Sequence, residues 1–313
     1  MLLKRFLLPL ILALGVSVWV AGSARAGEPA QAKPARDKED LADHFVQLLR
    51  GKRGTPLALQ TAVVRCVPQD CGRTAPSVDL IAAVHVADKA YYAQLNRLFD
   101  NYDSVLYEMV APQGARVPKG GGPPSGHPVS MAQRLMSDVL ELQYQLEGVD
   151  YTRKNLVHAD MSPEQFAKSM RDRGESAWTI MLRMMGYAMA RQGGQSEGRS
   201  DLRLLMALLS QDRALALKRV MAEQFEDLQG SINALEGPQG STLIAERNKV
   251  ALGVLRKQIA SGKRKLAIFY GGGHMPDFEK RLKDDFGLVR VSQQWLTAWD
   301  MKGKEKPKVV KDE

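Results

Sequence analysis

The chain has 313 residues, 44% of them hydrophobic and 25% charged, and a formal net charge of +9. This length suits one large α/β domain or two small ones. The basic residues are scattered rather than gathered into a stripe interleaved with stacking aromatic residues, so the composition argues against nucleic-acid binding.

The N-terminus predicts export. Lys4 and Arg5 precede an apolar run over residues 6–20, and the small-x-small pattern at residues 24–26 marks a cleavage site, so residues 1–26 read as a secretory signal peptide. The apolar run is shorter than the roughly 20 residues that span a membrane; an uncleaved anchor is the alternative. Cleavage lowers the net charge to +6, which suits a periplasmic or secreted protein with loose envelope association.

The only two cysteines are Cys66 and Cys71. In an exported protein, this pair can close a small loop around Pro68, and a structural disulfide is the prediction. A redox-active pair more typically has the spacing C-x-x-C. No further cysteine or adjacent histidine completes a metal site here.

The N-terminal part of the mature chain predicts a helix and two strands. Residues 27–39 are rich in Ala, Pro, Lys and Asp and predict a flexible leader to a single domain over residues 40–301. Asp40–Leu49 has apolar residues at helical spacing. Leu57–Val67 and Val78–Val86 are β-like and can pair as a hairpin.

Chemically reactive side chains follow the predicted strands. His85 ends the second strand and precedes a helix, and Glu108 lies near the end of the next strand, Ser104–Met109. This strand–helix–strand order predicts a parallel, right-handed βαβ unit. A carboxylate in a buried strand is costly unless it is paired or bound to a metal. Glu108 therefore binds a metal or pairs with an arginine such as Arg116 or Arg247.

The middle of the chain predicts a helical insertion over about residues 130–235. A Gly- and Pro-rich loop over residues 112–128 carries His127, a minor site candidate. His158 lies in a short apolar segment and is a candidate substrate-binding residue; the alternative is a structural hydrogen bond from His158 or Asp160. The predicted helices are Met131–Leu146, Glu164–Arg191, Asp201–Leu228 and Leu235–Ile259.

The most informative stretch comes near the C-terminus. Leu266–Tyr270 has the composition of a buried strand, and Gly271, Gly272, Gly273 and His274 follow at once. Glycine allows positive φ and lets a ligand approach closely, so these glycines are candidate substrate-binding positions. The remaining predicted elements are a helix over Asp277–Asp285, a strand over Leu288–Gln293 and a charged tail over residues 302–313.

His85, Glu108 and His274 thus share one kind of position, the C-terminal end of a strand. In neighbouring parallel strands, about 4.8 Å apart, the three side chains can converge at one edge of the sheet. Two imidazoles and a carboxylate form a divalent-metal site with open positions, for Mn, Co, Zn or Fe. A metal-bound water would then attack an acyl carbon.

Three segments resemble the motifs of the TraB/GumN/Tiki superfamily, which is related in fold to EreA and ChaN proteins. AAVHVADKAYYAQLNRLFDNYDSVLYEM resembles the first block, a GxxH at a strand end followed by a helix and a strand ending in Glu. FYGGGHMPDF resembles the second GxxH block, and GSTLIAERNKVALGVL the helix before it. The first block departs from the family, because Ala82 stands where the family has Gly.

The resemblance implies a central mixed, mostly parallel sheet flanked by helices, with a helical insertion over the active edge. It carries over His85, Glu108 and His274 as metal or catalytic residues, and Arg247 and Asn248 as catalytic or nearby polar residues. The expected function is an exported metal-dependent hydrolase, a peptidase, with a peptide or small-molecule substrate. The alternatives are a haem-, iron- or peptide-binding protein without turnover, a metal-independent esterase-like hydrolase, and an inactive descendant, the last because of Ala82.

Overall fold

A mixed seven-stranded β-sheet forms the centre of the protein. The computed structural model describes residues 44–69, 75–112, 114–115, 117–120, 140–176, 178–180, 203, 205–223, 225, 232, 236 and 240–303. The predicted signal peptide, the predicted leader, His127 and nearly all of the predicted charged tail lie outside these residues. The strands are β1 (Val46–Arg50), β2 (Pro56–Pro68), β3 (Ser77–Ala83), β4 (Val86–Ala87), β5 (Ser104–Tyr107), β6 (Gln143–Tyr144), β7 (Leu156–His158), β8 (Lys265–Gly271) and β9 (Leu288–Asp300).

The strand order is β1-β2-β3-β8-β5-β7, with β9 also paired to β2. β2 runs antiparallel to β1, β3 and β9. β3, β8, β5 and β7 are mutually parallel neighbours, so their C-terminal ends meet at one edge of the sheet. β4 and β6 form a separate two-stranded ladder beside that edge.

Helices cover both faces of the sheet. They are α1 (Lys89–Phe99), α2 (Gln145–Gly148), α3 (Pro163–Asp172), α4 (Arg213–Ala222), α5 (Arg247–Ala260) and α6 (Met275–Phe286). α1 packs on one face through Leu95 and Phe99, while α5 and α6 pack on the other through Leu255 and Phe278. The fold class is therefore α/β, with a mixed sheet flanked by helices.

Several predicted elements are confirmed. β2 and β3 pair as the expected hairpin, and β5 and β8 coincide with predicted strands. The helix predicted to start at Glu164 is α3, which starts one residue earlier at Pro163 and is capped by the side chain of Ser162. The last strand extends beyond Gln293 to Asp300, because β9 pairs with β2 over almost its whole length.

Other predictions were wrong because contacts distant in the chain overrode local periodicity. The predicted helix Asp40–Leu49 is strand β1 from Val46 onwards, since Val46–Arg50 pairs with β2. The end of the predicted helix Met131–Leu146 is instead β6 followed by the single turn α2.

Two of the other predicted long helices are interrupted at a glycine. In the predicted helix Glu164–Arg191, α3 ends at Asp172, Gly174 follows with φ +62°, and residues 178–180 are helical again. In the predicted helix Leu235–Ile259, Glu236 is helical, and Gly240 interrupts the helix with φ +70°. A π-helical turn, Thr242–Glu246, then leads directly into α5.

Cys66 lies in the hydrophobic core, and burial raises the pKa of its thiol to about 12. Cys71, its predicted partner, lies outside the described residues, and no disulfide is found within them. The pairing stays a prediction. In the same part of the chain, no helix combines the length and the apolar character needed to cross a membrane.

Two glycines with opposite surroundings test the packing of this fold. A Cβ at Gly148 would lie 2.4 Å from the ring of buried Tyr92, whereas a Cβ at Gly253 in α5 would meet no atom within 4 Å. We expect Gly148→Ala to lower the free energy of unfolding by about 1–3 kcal/mol through overpacking. Gly253→Ala should raise it by up to about 1 kcal/mol, because alanine has the higher helix propensity. Urea unfolding of both variants measures the difference; equal effects would contradict this packing.

Candidate functional site

Four parallel strands deliver polar side chains to the same edge of the sheet. His85 follows β3, Glu108 follows β5, Asp160 follows β7, and His274 follows β8 after a short 3₁₀ turn. Since β3, β8, β5 and β7 are successive neighbours, these residues come together although they are far apart in sequence. Arg247 joins them from the N-terminus of α5.

Gly271 lies at the centre of this group. A Cβ placed on Gly271 would lie 3.3 Å from Glu108 Oε2, 3.9 Å from His85 Nε2 and 3.9 Å from His274 Cδ2. One point in space is therefore within 4 Å of all three residues singled out in the sequence. The prediction of positive φ was wrong, because Gly271 has φ −51° and none of the three glycines is among the positive-φ residues. A side chain here would crowd Glu108, because its Cβ would lie in tight contact with Oε2.

Arg247 holds the two carboxylates of the site together. Its Nη2 donates to Glu108 Oε1 at 2.7 Å and to Asp160 Oδ2 at 2.6 Å, and its Nε donates to Asp160 Oδ1 at 3.0 Å. The second oxygen of Glu108 accepts the backbone N–H of Gly271 at 2.7 Å. The pairing of Glu108 with Arg247, one of the two sequence alternatives, is thus observed.

Burial alone would raise the pKa of Glu108, but this effect is outweighed. The charge of Arg247, with contributions from His274 and His85, holds the pKa well below its ordinary value. Burial likewise opposes the charge of Arg247, yet Glu108 and Asp160 raise its pKa overall. Both groups are therefore ionised at neutral pH.

His274 is oriented by Asn248. Its Nδ1 lies 2.7 Å from Asn248 Oδ1, and the Asn248 amide nitrogen donates to the His274 carbonyl and to Asp277. His274 Nε2 then lies 3.5 Å from both Glu108 Oε1 and Arg247 Nη1. Asn248 is completely buried, so it acts on the site only through the orientation of His274.

His85 is oriented by Gln145. Its Nδ1 lies 3.1 Å from Gln145 Oε1, and Gln145 Nε2 donates to Tyr151 Oη at 2.9 Å. Among the described residues, Nε2 of His85 has no hydrogen-bond partner. The reactive nitrogens of both imidazoles therefore face the centre of the site, while the opposite nitrogens are held by amides.

Other candidates are not brought into this group. His158 donates from Nε2 to the carbonyl of Met109, 2.6 Å away, and packs beside Tyr107. Gly273 faces Ile232, whose Cδ1 would lie 3.0 Å from a Cβ on Gly273. The structural alternative describes His158 better than substrate binding does, and Gly273 accommodates a packing contact.

Ala82, which stands where the motif that the chain resembles has Gly, lies in the core rather than in the turn. Ala82 lies inside β3, pairs in register with Tyr270, and is fully buried in the cluster that includes Met275. Its methyl group packs beneath the sheet edge, while His85 lies beyond the end of the strand. Hence Ala82 gives no structural reason for the loss of the site.

Asp160, Gln145 and Tyr151 were missed as site residues. Asp160 carried a usable signal, because it follows a short strand-like segment just as Glu108 does. No sequence pattern marked Gln145 or Tyr151 as site residues. Gln145 lay within a predicted helix, and its contacts with His85 and Tyr151 form only in the folded chain.

The donor set fits a divalent metal only in part. Two imidazole nitrogens and a carboxylate are suitable ligands, but the guanidinium of Arg247 already holds Glu108 Oε1 and lies beside His274 Nε2. A metal at Glu108 would meet this positive charge. Within the part of the chain that the structure describes, no group of three or more His, Cys, Asp or Glu side chains is arranged to hold a metal ion.

Comparison of the chain with protein-family models, with curated proteins and with solved structures finds no match. The resemblance to the TraB/GumN/Tiki superfamily therefore stays an expectation based on its three motifs.

The ionised state of Glu108 gives the protein a specific acid sensitivity. Its pKa is lowered from 4.5 on folding, so the stabilisation is complete above pH 4.5 and is lost as the pH falls through the folded-state pKa. We expect Glu108→Gln to lower the free energy of unfolding by about 2 kcal/mol at pH 7. This deficit should shrink below pH 4.5. Urea unfolding at a series of pH values measures it; a deficit independent of pH would contradict an ionised Glu108.

Proposed function

We propose that the protein is a hydrolase that uses water to cleave an ester or amide bond at the edge where His85, Glu108 and His274 meet. One observation carries this proposal: a single point above Gly271 lies within 4 Å of all three side chains. That point is where a Cβ on Gly271 would lie, so a substrate atom would bind next to it, in van der Waals contact with the glycine and between a base, an anion and a second imidazole.

His85 is the best candidate for the general base. Its Nδ1 is occupied by Gln145, and its Nε2 has no partner among the described residues. A water beside Nε2 would give its proton to His85 while its oxygen attacks the carbonyl carbon. The ionised Glu108 would stabilise the imidazolium that forms, since His85 and Glu108 interact electrostatically.

Arg247 is the best candidate for stabilising the oxyanion. Its Nε and Nη2 are engaged by carboxylates at 2.6–3.0 Å. Nη1 makes only longer contacts, 3.3 Å to the Leu243 carbonyl and 3.5 Å to His274 Nε2. Nη1 can therefore donate to the developing oxyanion. When the tetrahedral intermediate collapses, the leaving alkoxide or amine would take the proton back from His85.

The sequence motifs support a narrower version of this proposal. The N-terminal pattern favours export, and the resemblance to the TraB/GumN/Tiki superfamily favours a peptide substrate in the periplasm or the medium. A peptidase is therefore the first activity to assay, followed by esters and lactones.

Substitution of single histidines tests this assignment. We expect His85→Ala and His274→Ala each to lower kcat/KM by about 10²-fold or more, the usual contribution of a positioned acid or base. His44→Ala is the matched control, because His44 is exposed and its ring packs beside Trp295. The assay uses purified protein with a panel of peptide and ester substrates. Equal activity in all three variants would overturn the proposed site.

A metal-dependent hydrolase is the second candidate. The hydrogen bonds that orient the two imidazoles favour it. Both Nδ1 atoms are held by amide oxygens, an arrangement typical of metal-bound histidines, whose second nitrogen is hydrogen-bonded. His85, His274 and Glu108 would hold the ion. The ion would supply a bound water of lowered pKa.

Removal and return of metal separates the two candidates. Because Arg247 already neutralises Glu108, we expect kcat/KM to change less than twofold after dialysis against a chelator. Metal analysis of the protein before and after dialysis accompanies the assay. A loss of activity that Mn²⁺, Co²⁺ or Zn²⁺ restores would establish the metal-dependent form instead.

A further inference from the structure

Three residues, Gln145, Tyr151 and Asn96, hold the turn that orients His85. Gln145 makes two hydrogen bonds with His85. Its backbone N–H donates to the His85 carbonyl at 2.8 Å, and its side-chain oxygen lies 3.1 Å from His85 Nδ1. The adjoining β4–β6 ladder pairs Val86 with Tyr144 and so fixes the two segments in register. Gln145 is thereby held through both its main chain and its side chain.

Tyr151 fixes the other end of the amide. Its hydroxyl accepts from Gln145 Nε2 at 2.9 Å, and its ring packs edge-on against Tyr107, with ring centroids 5.0 Å apart. Tyr107 directly precedes Glu108, so Tyr151 also links the support of His85 to the strand that carries the carboxylate. Gln145 and Tyr151 are 5% and 7% exposed, and water competes little for these hydrogen bonds.

Asn96 clamps the same turn through its backbone. The Asn96 amide nitrogen donates to the Gly148 carbonyl at 2.8 Å, and Asn96 Oδ1 accepts the N–H of Asp150 at 3.0 Å. Asn96 makes neither of these contacts with His85 or with the Gln145 amide. It therefore offers a control that loosens the turn without removing the hydrogen bond to the imidazole.

We propose that Gln145, anchored by Tyr151, is a positioning residue that holds His85 in the Nδ1–H tautomer with the Nε2 lone pair facing Gly271. The amide oxygen can only accept, so Nδ1 must carry the proton. A wrong tautomer would turn an N–H towards the point where water has to be deprotonated. The catalytic consequence rests on the proposed hydrolase function, whereas the tautomer itself does not.

Nitrogen NMR of the full-length protein with ¹⁵N-labelled histidine reads the tautomer directly. His85→Asn identifies the His85 resonances by their absence. In the unaltered protein we expect the proton of neutral His85 on Nδ1. Gln145→Leu and Tyr151→Phe should move population to the Nε2–H form, whereas Asn96→Ala should retain Nδ1–H. A proton on Nε2 in the unaltered protein would overturn the proposal.

Kinetics with any substrate turned over by the protein supply the second readout. We expect Gln145→Leu to lower kcat by about 10- to 100-fold, the usual effect of removing a partner that orients a reactive histidine, with KM changed less than twofold. An equal fall in kcat for Asn96→Ala would show that only the fold of the turn matters. If no substrate is found, the hydrolase proposal fails while the NMR result still decides the role of Gln145; if Gln145→Leu does not fold, Tyr151→Phe provides the same comparison.

Discussion

The edge of the sheet that carries the candidate site depends on one guanidinium shared by two buried carboxylates. Glu108 and Asp160 follow the adjacent parallel strands β5 and β7, and two ionised carboxylates so close would repel strongly in a poorly solvated site. Arg247 bonds to both of them. Its position is set by the π-helical turn before α5, where the N–H of Thr242 donates to buried Glu175 at 2.9 Å. The ion cluster therefore ties the end of the sheet to the segment that follows α3.

The lack of a side chain at Gly271 is a second, steric constraint beside the ion pairs of Arg247. The backbone N–H of Gly271 donates to Glu108 Oε2, and a Cβ at this position would lie only 3.3 Å from the same oxygen. The missing side chain also leaves open the region between His85, Glu108 and His274. One glycine thus donates the hydrogen bond that orients the carboxylate and keeps side-chain atoms out of the space between the three residues.

Local sequence patterns identified the reactive residues at the ends of the parallel strands, but not the residues that orient them. His85, Glu108 and His274 were found because a reactive side chain at the end of an apolar run is a local pattern, and parallel strands convert it into proximity. Asp160 had the same pattern in a shorter strand. Gln145 had none, because its segment shows helical periodicity and becomes β6 and α2 only by pairing with β4. The strand β1 was mistaken for a helix for the same reason, since its partner β2 lies beyond a turn that periodicity does not describe.

The charge balance explains why amides rather than carboxylates support the two imidazoles. With both imidazoles neutral, Glu108, Asp160 and Arg247 leave one negative charge in excess at this edge of the sheet. A carboxylate behind either histidine would add a second uncompensated charge in a site largely shielded from water, at high cost. Asn248 and Gln145 orient their imidazoles through a neutral oxygen and add no charge. The excess that remains favours a positive charge near Gly271, which, in the proposed reaction, an imidazolium formed by proton transfer from water would supply.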